Sequence, residues 1–217
     1  IITVNDSIAN LYEKEYGKKL IVIRNIPLLT DAVSQSINKI SLREALNLTI
    51  NKKIVILQGA GINIERGAEE AVQAMQHLDK VILIILGGGD VLELLKKLVE
   101  KYQLEQKVIF LQRMPYSKMI QYTQASDAGL TFDKDTNLNY KFSLPNKIFD
   151  YIHAGIPVLA SRLPELEKII TQYQIGSFSE NHDPKHIAEQ INFMVADDER
   201  TTQWKINLQA ASQELSW

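Results

Sequence analysis

The stretch KIVILQGAGINIERGAEE, residues 53–70, decides the fold: an unbroken aliphatic run passes through a turn bearing two glycines into the opening of a helix. A run of β-branched and aliphatic residues without polar alternation is the mark of a strand covered on both faces. Working outward, the same grammar recurs in KVILIIL from Lys80, KVIFL from Lys107, AGLTF from Ala128, IPVLA from Ile156 and IGSF from Ile175. Helices are expected to begin near Glu65, Val91, Ser117, Asn146, Pro164 and Pro184. Strands and helices alternating at even spacing predict an α/β domain with a doubly wound parallel sheet, Rossmann-like, with helices on both faces. Ligands of such sheets lie beyond the carboxyl ends of the strands, so function is sought after Gln58, Leu86, Leu111, Phe132 and Ala160.

The first forty residues read differently. IITV, Ile1 to Val4, reads as a buried strand; Asn5-Asp6-Ser7 caps a helix to about Tyr16, which Gly17 ends; LIVIRN, Leu20 to Asn25, is a second strand broken by Pro27. Ser41 opens SLREALNL with Glu44 placed as in a capping box. The boundary is expected near Asp31 to Ile40, giving a small unit over 1–40 and a main unit over 41–217. Ile1 is no initiator and the closing run TTQWKINLQAASQELSW reads as a helix without a stop signal, so the expectation is a piece of a longer chain.

Composition narrows the function classes. The 217 residues hold 24 basic and 26 acidic side chains and no cysteine, for a formal net charge of -2. That balance gives no footing for nucleic acid, and without thiols there is no disulfide framework, thiolate metal site or cysteine nucleophile. The expected location is cytoplasmic, with any membrane contact peripheral at the inner face, because the longest apolar run, Val81 to Leu86, is far short of a span.

Four loops carry candidate chemistry. In the first, Gly59 and Gly61 let backbone amides approach an anion at the mouth of a helix, and Arg66 is the loop's cation. Phosphate suits that loop; the alternative is an exposed surface arginine. A dinucleotide fingerprint needs a third glycine where Ile64 stands, so NAD is disfavoured. In the second, Gly87-Gly88-Gly89-Asp90 permits a tight turn with Asp90 as helix cap, and turn geometry alone accounts for it. In the third, the amides around Arg113 and Met114 can pair with the edge of a nucleobase, with Tyr116 packed nearby. The fourth is the longest, Asp133 to Pro145, a length common in functional loops. It leads into a helix ending at Gly155, on which Asn146, Lys147 and Asp150 share one face while Ile148, Phe149 and Ile152 form another. An amide, an ammonium and a carboxylate beside a helix start suit a sugar nucleotide: Asn146 and Lys147 for the diphosphate, Asp150 for ribose hydroxyls. A solvated face with an Asp/Lys pair is the bland reading.

With these residues in view, the chain from about Ser41 to its end resembles the carboxy-terminal domain of retaining glycosyltransferases of the GT-B fold, the large family 4, also called group 1. The resemblance implies that the domain is one half of a GT-B fold. Its first loop would bind the donor diphosphate through a Gly-Arg and a Lys-Gly pair; aligning Gly59 and Gly67 puts Ala60 at the arginine and Arg66 at the lysine. DYIHAGIPVLAS matches the family's acidic-residue approach to an Ala-Gly-x-Pro-Val strand and puts Asp150 at the ribose position, while eight residues earlier Phe142 replaces the family's first acidic residue. Members with that departure open the helix with Pro-Asn-Lys or Pro-Ser-Lys, as Pro145-Asn146-Lys147 does here, and Ser143, Leu144 and Pro145 are then the loop facing the donor sugar. Residues 1 to about 30 would be the last elements of an amino-terminal acceptor domain, and the chain alone should not turn over.

The implied substrate is a nucleotide-sugar donor, UDP- or GDP-linked, with no further cofactor and no metal. The implied partner is an acceptor glycan or lipid-linked sugar bound by the other domain. His182 and His186 stand four apart around a helix start at Asp183-Pro184, which argues against metal; His77 and His153 end helices, and Met194 and Trp204 are assigned to packing. A GT-B sugar-nucleotide epimerase and a non-catalytic nucleotide-binding module are the rival readings.

Overall fold

The computed structural model describes residues 1–27, 44, 46, 51–196 and 198–217. The elements are β1 (Ile2–Thr3), α1 (Asp6–Tyr16), β2 (Ile21–Val22), β3 (Lys53–Gly59), α2 (Ala68–Ala74, continued by a 3-10 turn, Met75–His77) and β4 (Val81–Gly87). There follow α3 (Leu92–Lys101), β5 (Val108–Gln112), α4 (Tyr116–Ala125), β6 (Ala128–Thr131), α5 (Leu138–Lys141) and α6 (Lys147–Ala154). The chain closes with β7 (Val158–Ser161), α7 (Pro164–Tyr173), β8 (Gly176–Ser179), α8 (Pro184–Met194) and α9 (Glu199–Glu214). The boundary expected near Asp31 to Ile40 and, except for Glu44 and Leu46, the helix expected from Ser41 lie outside the described residues.

Six parallel strands form one sheet in the order β5-β4-β3-β6-β7-β8, so the order reverses between β3 and β6. Period-two geometry divides each aliphatic run between two cores. Val55, Leu57, Leu83, Ile85 and Leu130 face α2, α3, α8 and Trp204. Ile54, Ile56, Ile82, Ile84 and Ala160 face α6, α7 and the end of α9. Burying a side chain of this size contributes about 1.5–3 kcal/mol. A sheet with aliphatics on both faces therefore cannot shed either helical layer.

Strands β3 and β4 pair along their full length, from Lys53↔Val81 to Gly59↔Gly87. Strands β3 and β6 pair only at Val55↔Ala128 and Ile56↔Gly129, then part. The phenol of Tyr151, on α6, fills the opening. Its hydroxyl lies 3.0 Å from the Leu130 carbonyl and 3.2 Å from that of Ile56, and accepts from the Gln58 amide at 3.4 Å. Gly129 makes room, since a Cβ there would stand 2.4 Å from the Tyr151 ring.

The small unit is a two-stranded parallel sheet, β1 beside β2, with α1 capped by the Asn5 side chain and ended by Gly17 at φ 65. Its first strand, expected to be buried, is exposed, Ile2 at 64%. Its one strand partner is β2, and among the described residues no element covers its outer side.

Two further expectations are corrected. Helix α2 begins at Ala68 rather than near Glu65, because Glu65 (φ 66) and Gly67 (φ 70) both take left-handed conformations and break the helical path. Asp90 does not cap its own helix: its carboxylate accepts the Ile64 amide at 3.1 Å, tying the loop after β4 to the loop after β3. The three glycines before it serve that same contact. A Cβ on Gly87 or Gly89 would sit 1.9 Å from the carbonyl oxygens of Gly59 and Ile62.

Tyr151→Phe leaves three backbone groups short of a partner, a loss of about 1–3 kcal/mol, and its urea-unfolding midpoint is expected to fall with an unchanged slope.

Candidate functional site

At the switch point, above the carboxyl ends of β3 and β6, an open cleft of ≈ 580 Å³ is lined by Gln58, Gly59, Ala60, Gly61 and Arg66, by Tyr116 and Met119 of α4, and by Pro145, Asn146, Lys147 and Asp150. Asn25, Ile26 and Pro27, after β2, close a further wall. The volume is in the range of small-molecule sites. Seven of the residues singled out by sequence thus meet in one place: Gly59, Gly61, Arg66, Pro145, Asn146, Lys147 and Asp150.

The loop after β3 offers fewer amides than its glycines suggest. The amides of Ile62, Ile64 and Arg66 are taken by the Gly88 carbonyl, Asp90 and the Asn63 carbonyl. Those of Ala60 and Gly61 donate to no acceptor among the described residues. On the other side α6 starts at Lys147, with Asn146 in its cap position making no side-chain cap and exposed to the cleft. The Pro145 and Asn146 carbonyls take the amides of Ile148 and Phe149, while those of Asn146 and Lys147 donate to no acceptor among the described residues, at an end where the helix dipole is positive.

Arg66 stands in the turn before α2, not at a helix start, and is anchored from the floor. Its Nη1 lies 3.4 Å from Oδ1 of Asp133, a fully buried carboxylate directly after Phe132, and its guanidinium lies 4.9 Å from the Tyr140 ring on α5. Lys147 sits beside the same carboxylate. Burial depresses its ammonium below the usual lysine value, Asp133 acts against that fall, and Arg66 adds to it. No hydrogen bond or ion pair holds the Lys147 ammonium among the described residues.

Asp150, one turn along α6, is held from two sides: Gln58 Nε2 donates to Oδ2 at 3.0 Å and the Tyr116 hydroxyl to Oδ1 at 3.2 Å. The Gln58 amide is fixed in turn, because its Oε1 accepts from Thr123 Oγ1 at 2.6 Å. Burial raises the Asp150 carboxyl above its ordinary value, while the bonds from Tyr116 and Gln58 and the nearby His153 pull it back.

Four singled-out residues lie off the cleft lining. Arg113 spans the two glycine loops, its guanidinium donating to the Ala60 carbonyl and packing against Gly88. Met114 and Leu144 pack against the apolar cluster to which α6 contributes. Ser143 has a buried hydroxyl without a partner among the described residues, and its amide bonds to the Tyr140 carbonyl. Sequence reasoning assigned no role to Gln58 or Asp133, each a polar residue closing an aliphatic strand run. His182 and His186 serve the scaffold: His182 Nε2 lies 3.0 Å from the Phe132 carbonyl and 3.1 Å from Ser161 Oγ, and His186 Nε2 accepts from the Glu180 amide.

Comparison with known proteins follows from this geometry. The family model described as Glycosyl transferases group 1 matches residues 41–210. The chain belongs to the glycosyl transferases group 1 family. It is 24% identical over 196 residues to a D-inositol 3-phosphate glycosyltransferase of Xylanimonas cellulosilytica, a match taking 88% of this chain and 44% of that protein. Among solved structures it is similar to HepE of Anabaena in complex with UDP-glucose, at 19% identity and a TM-score of 0.82 over 99% of this chain and 59% of that one. It is also similar to a sucrose-phosphate synthase of Thermosynechococcus elongatus, at 20% identity and a TM-score of 0.76 over 100% of this chain and 54% of that one. At such identities the structural likeness is one of fold, the Rossmann-like half of a GT-B glycosyltransferase. The chain spans about half the length of these relatives. Among the described residues no helix is long and apolar enough to cross a membrane.

The raised Asp150 carboxyl gives a test. A group whose folded pKa lies above its unfolded value lowers stability as pH rises through both, so the ionised form strains the fold at neutral pH. Asp150→Asn is therefore expected to melt at or above the wild-type temperature at pH 7, as scanning calorimetry reads.

Proposed function

We propose that this chain is the donor-binding part of a retaining glycosyltransferase of family 4, which holds a UDP- or GDP-linked sugar in the cleft at the switch point. The observation that carries the proposal is the convergence there of two cations, Arg66 and Lys147, with the carboxylate of Asp150 held by Gln58 and Tyr116. The free amides of Ala60 and Gly61 with Arg66, Asn146 and Lys147 would take the diphosphate, since charge-assisted bonds to phosphate oxygens are about twice as strong as neutral ones. Asp150 would accept from ribose hydroxyls. The base would lie toward the Arg113-Met114 backbone, and the sugar would face Ser143, Leu144 and Pro145.

The rest of the protein would bring the acceptor, a glycan or a lipid-linked sugar, to the open side of the cleft, and the donor phosphate would help to deprotonate it without a metal. Group 1 membership supports transfer over epimerisation or nucleotide sensing. Units 1–40 and 41–217 would then be the end of an acceptor domain and the donor domain, working in the cytoplasm or against the inner face of its membrane.

A thermal-shift panel of UDP, GDP, ADP and NADH tests the reading. A ligand at a hundred times its Kd stabilises the fold by about 2.7 kcal/mol, so UDP or GDP is expected to raise the melting temperature by several degrees and NADH to leave it unmoved. Arg66→Ala and Asp150→Ala should each weaken binding of the stabilising nucleotide about tenfold or more, the worth of one charge-assisted bond. Stabilisation by NADH alone, or unchanged affinity in both variants, overturns it.

A further inference from the structure

A buried carboxylate on the floor of an anion site is a paradox, because Asp133 should repel the very diphosphate that Arg66 and Lys147 attract. Its placement resolves it. Asp133 is fully buried, and among the described residues the one bond its carboxylate makes is the 3.4 Å contact from Oδ1 to Arg66 Nη1, with Oδ2 unpartnered. The residue follows β6, across the parted strands from the loop after β3, where it contacts one cation of the cleft and acts through space on the other. Leaving a carboxylate there costs free energy that an asparagine or serine would avoid. The charge stands where it acts on two other charges.

We propose that Asp133 is a positioning residue of the diphosphate site: it anchors Arg66 by contact and keeps the neighbouring Lys147 charged, so that two like charges in one cleft are ready for phosphate before the ligand arrives. This rests on reading the cleft as a nucleoside-diphosphate site. Arg66 is confined between this carboxylate beneath it and the Tyr140 ring at 4.9 Å. The charged groups facing the Lys147 ammonium are Asp133, from the end of β6, and Arg66, from the turn before α2; Asp150, on Lys147's own helix, is turned to Gln58 and Tyr116. Burial and Arg66 both favour loss of the Lys147 proton, and Asp133 opposes them. Without Asp133 the ammonium would be lost at a lower pH, and Arg66 would lose its anchor.

The two accounts of Asp133 predict opposite signs. If it were a surplus anion, Asp133→Asn would tighten diphosphate binding; as a positioning residue, the same isosteric change weakens it. UDP and GDP are titrated calorimetrically in parallel into the wild type, Asp133→Asn, Lys147→Ala and the double variant from pH 7 to 10, with the melting temperature of each recorded. Over this range the terminal phosphate, with a second pKa of about 6, goes from about nine-tenths to fully ionised, and this change and any ionisation of the base are common to all four proteins. Wild-type affinity should fall as pH rises through the Lys147 value. In Asp133→Asn that fall should begin about one pH unit lower, the usual effect of removing one nearby opposite charge, with affinity down about fivefold to tenfold at pH 9. In the Lys147→Ala background the shift should vanish, leaving only the smaller loss that acts through Arg66. Equal or tighter binding by Asp133→Asn, a loss of affinity that tracks melting temperature with no pH shift, or a shift that persists without Lys147, overturns the proposal while leaving the nucleotide site standing. If the wild type binds neither nucleotide, the reading of the cleft falls, and this inference with it.

Discussion

The parting of β3 and β6 after two paired residues is the constraint on which the rest of the molecule depends. A buried sheet cannot open without stranding backbone donors and acceptors, and each stranded group costs about 1–3 kcal/mol. The Tyr151 hydroxyl meets the carbonyls of Ile56 and Leu130 and the amide of Gln58, and so lets the strands diverge at little cost. Burial drives its phenol far above the ordinary tyrosine value, so it stays neutral and able to donate at any pH the fold survives. The same side chain fixes α6, which must lie close against Gly129 for the ring to enter. Asp150 precedes Tyr151 by one residue, about 100° round the helix. With Tyr151 pinned in the sheet, Asp150 is turned to the cleft, and Lys147, one turn earlier, follows it.

The cleft holds its charges against the preference of the fold. Burial pushes the Asp150 carboxyl up and the Lys147 ammonium down, so both charged forms are disfavoured by their surroundings. Neutral Asn and Met at these places would relieve the strain, which argues that the charges serve a ligand rather than the fold. Their supports differ in kind. Asp150 is steadied by hydrogen bonds from Gln58 and Tyr116, which act at contact and fix direction. Lys147 is steadied across space by Asp133, which leaves its three N–H groups free to turn toward a guest.

Most of the sheet was legible because both its faces are covered. Runs such as VILIIL, too short for a membrane span, carry one meaning between turns of this kind, and each strand of the large sheet lies within two residues of its expected span. The starts of α7 and α8 fall where Pro164 and Pro184 stand, since proline fits the first helical turn and little else in a helix. What escaped the sequence is tertiary. Glu65 begins no helix because Gly67 must fold tightly over Phe132, where a Cβ would meet that residue's carbonyl at 2.4 Å. Asp90 abandons its own helix for an amide 26 residues back. The loop from Asp133 to Pro145 hides the single turn of α5, whose Asn137 cap looks in sequence like any polar loop residue. Gly59, Arg66, Lys147 and Asp150 were legible as a cleft set because strand ends and helix starts point to one side of such a sheet. Asp133 and Gln58 were not, because a polar residue closing an apolar run becomes informative only once its neighbours across the sheet are known.

The loop that leads into α6 is also held from the other side of the cleft. Asn5 is fully buried and uses both ends of its amide: Oδ1 accepts from the Ile8 amide at 2.9 Å, capping α1, and Nδ2 donates to the Phe142 carbonyl at 2.8 Å. A residue that must satisfy a helix end and a distant carbonyl at once has little freedom to move. Ser7, in the next turn, donates to the buried Glu165 carboxylate at 2.5 Å at the start of α7, and the Trp217 amide reaches the Pro27 carbonyl at 3.2 Å. Phe142 stands three residues before Pro145, so a shift of α1 relative to the large sheet would draw directly on the segment that positions Asn146 and Lys147. The cleft is therefore not the property of the sheet alone. Its floor is set by Tyr151 and Asp133, its near wall by Asn25 to Pro27, and the entry to its most charged helix by a single asparagine in the first turn of the chain.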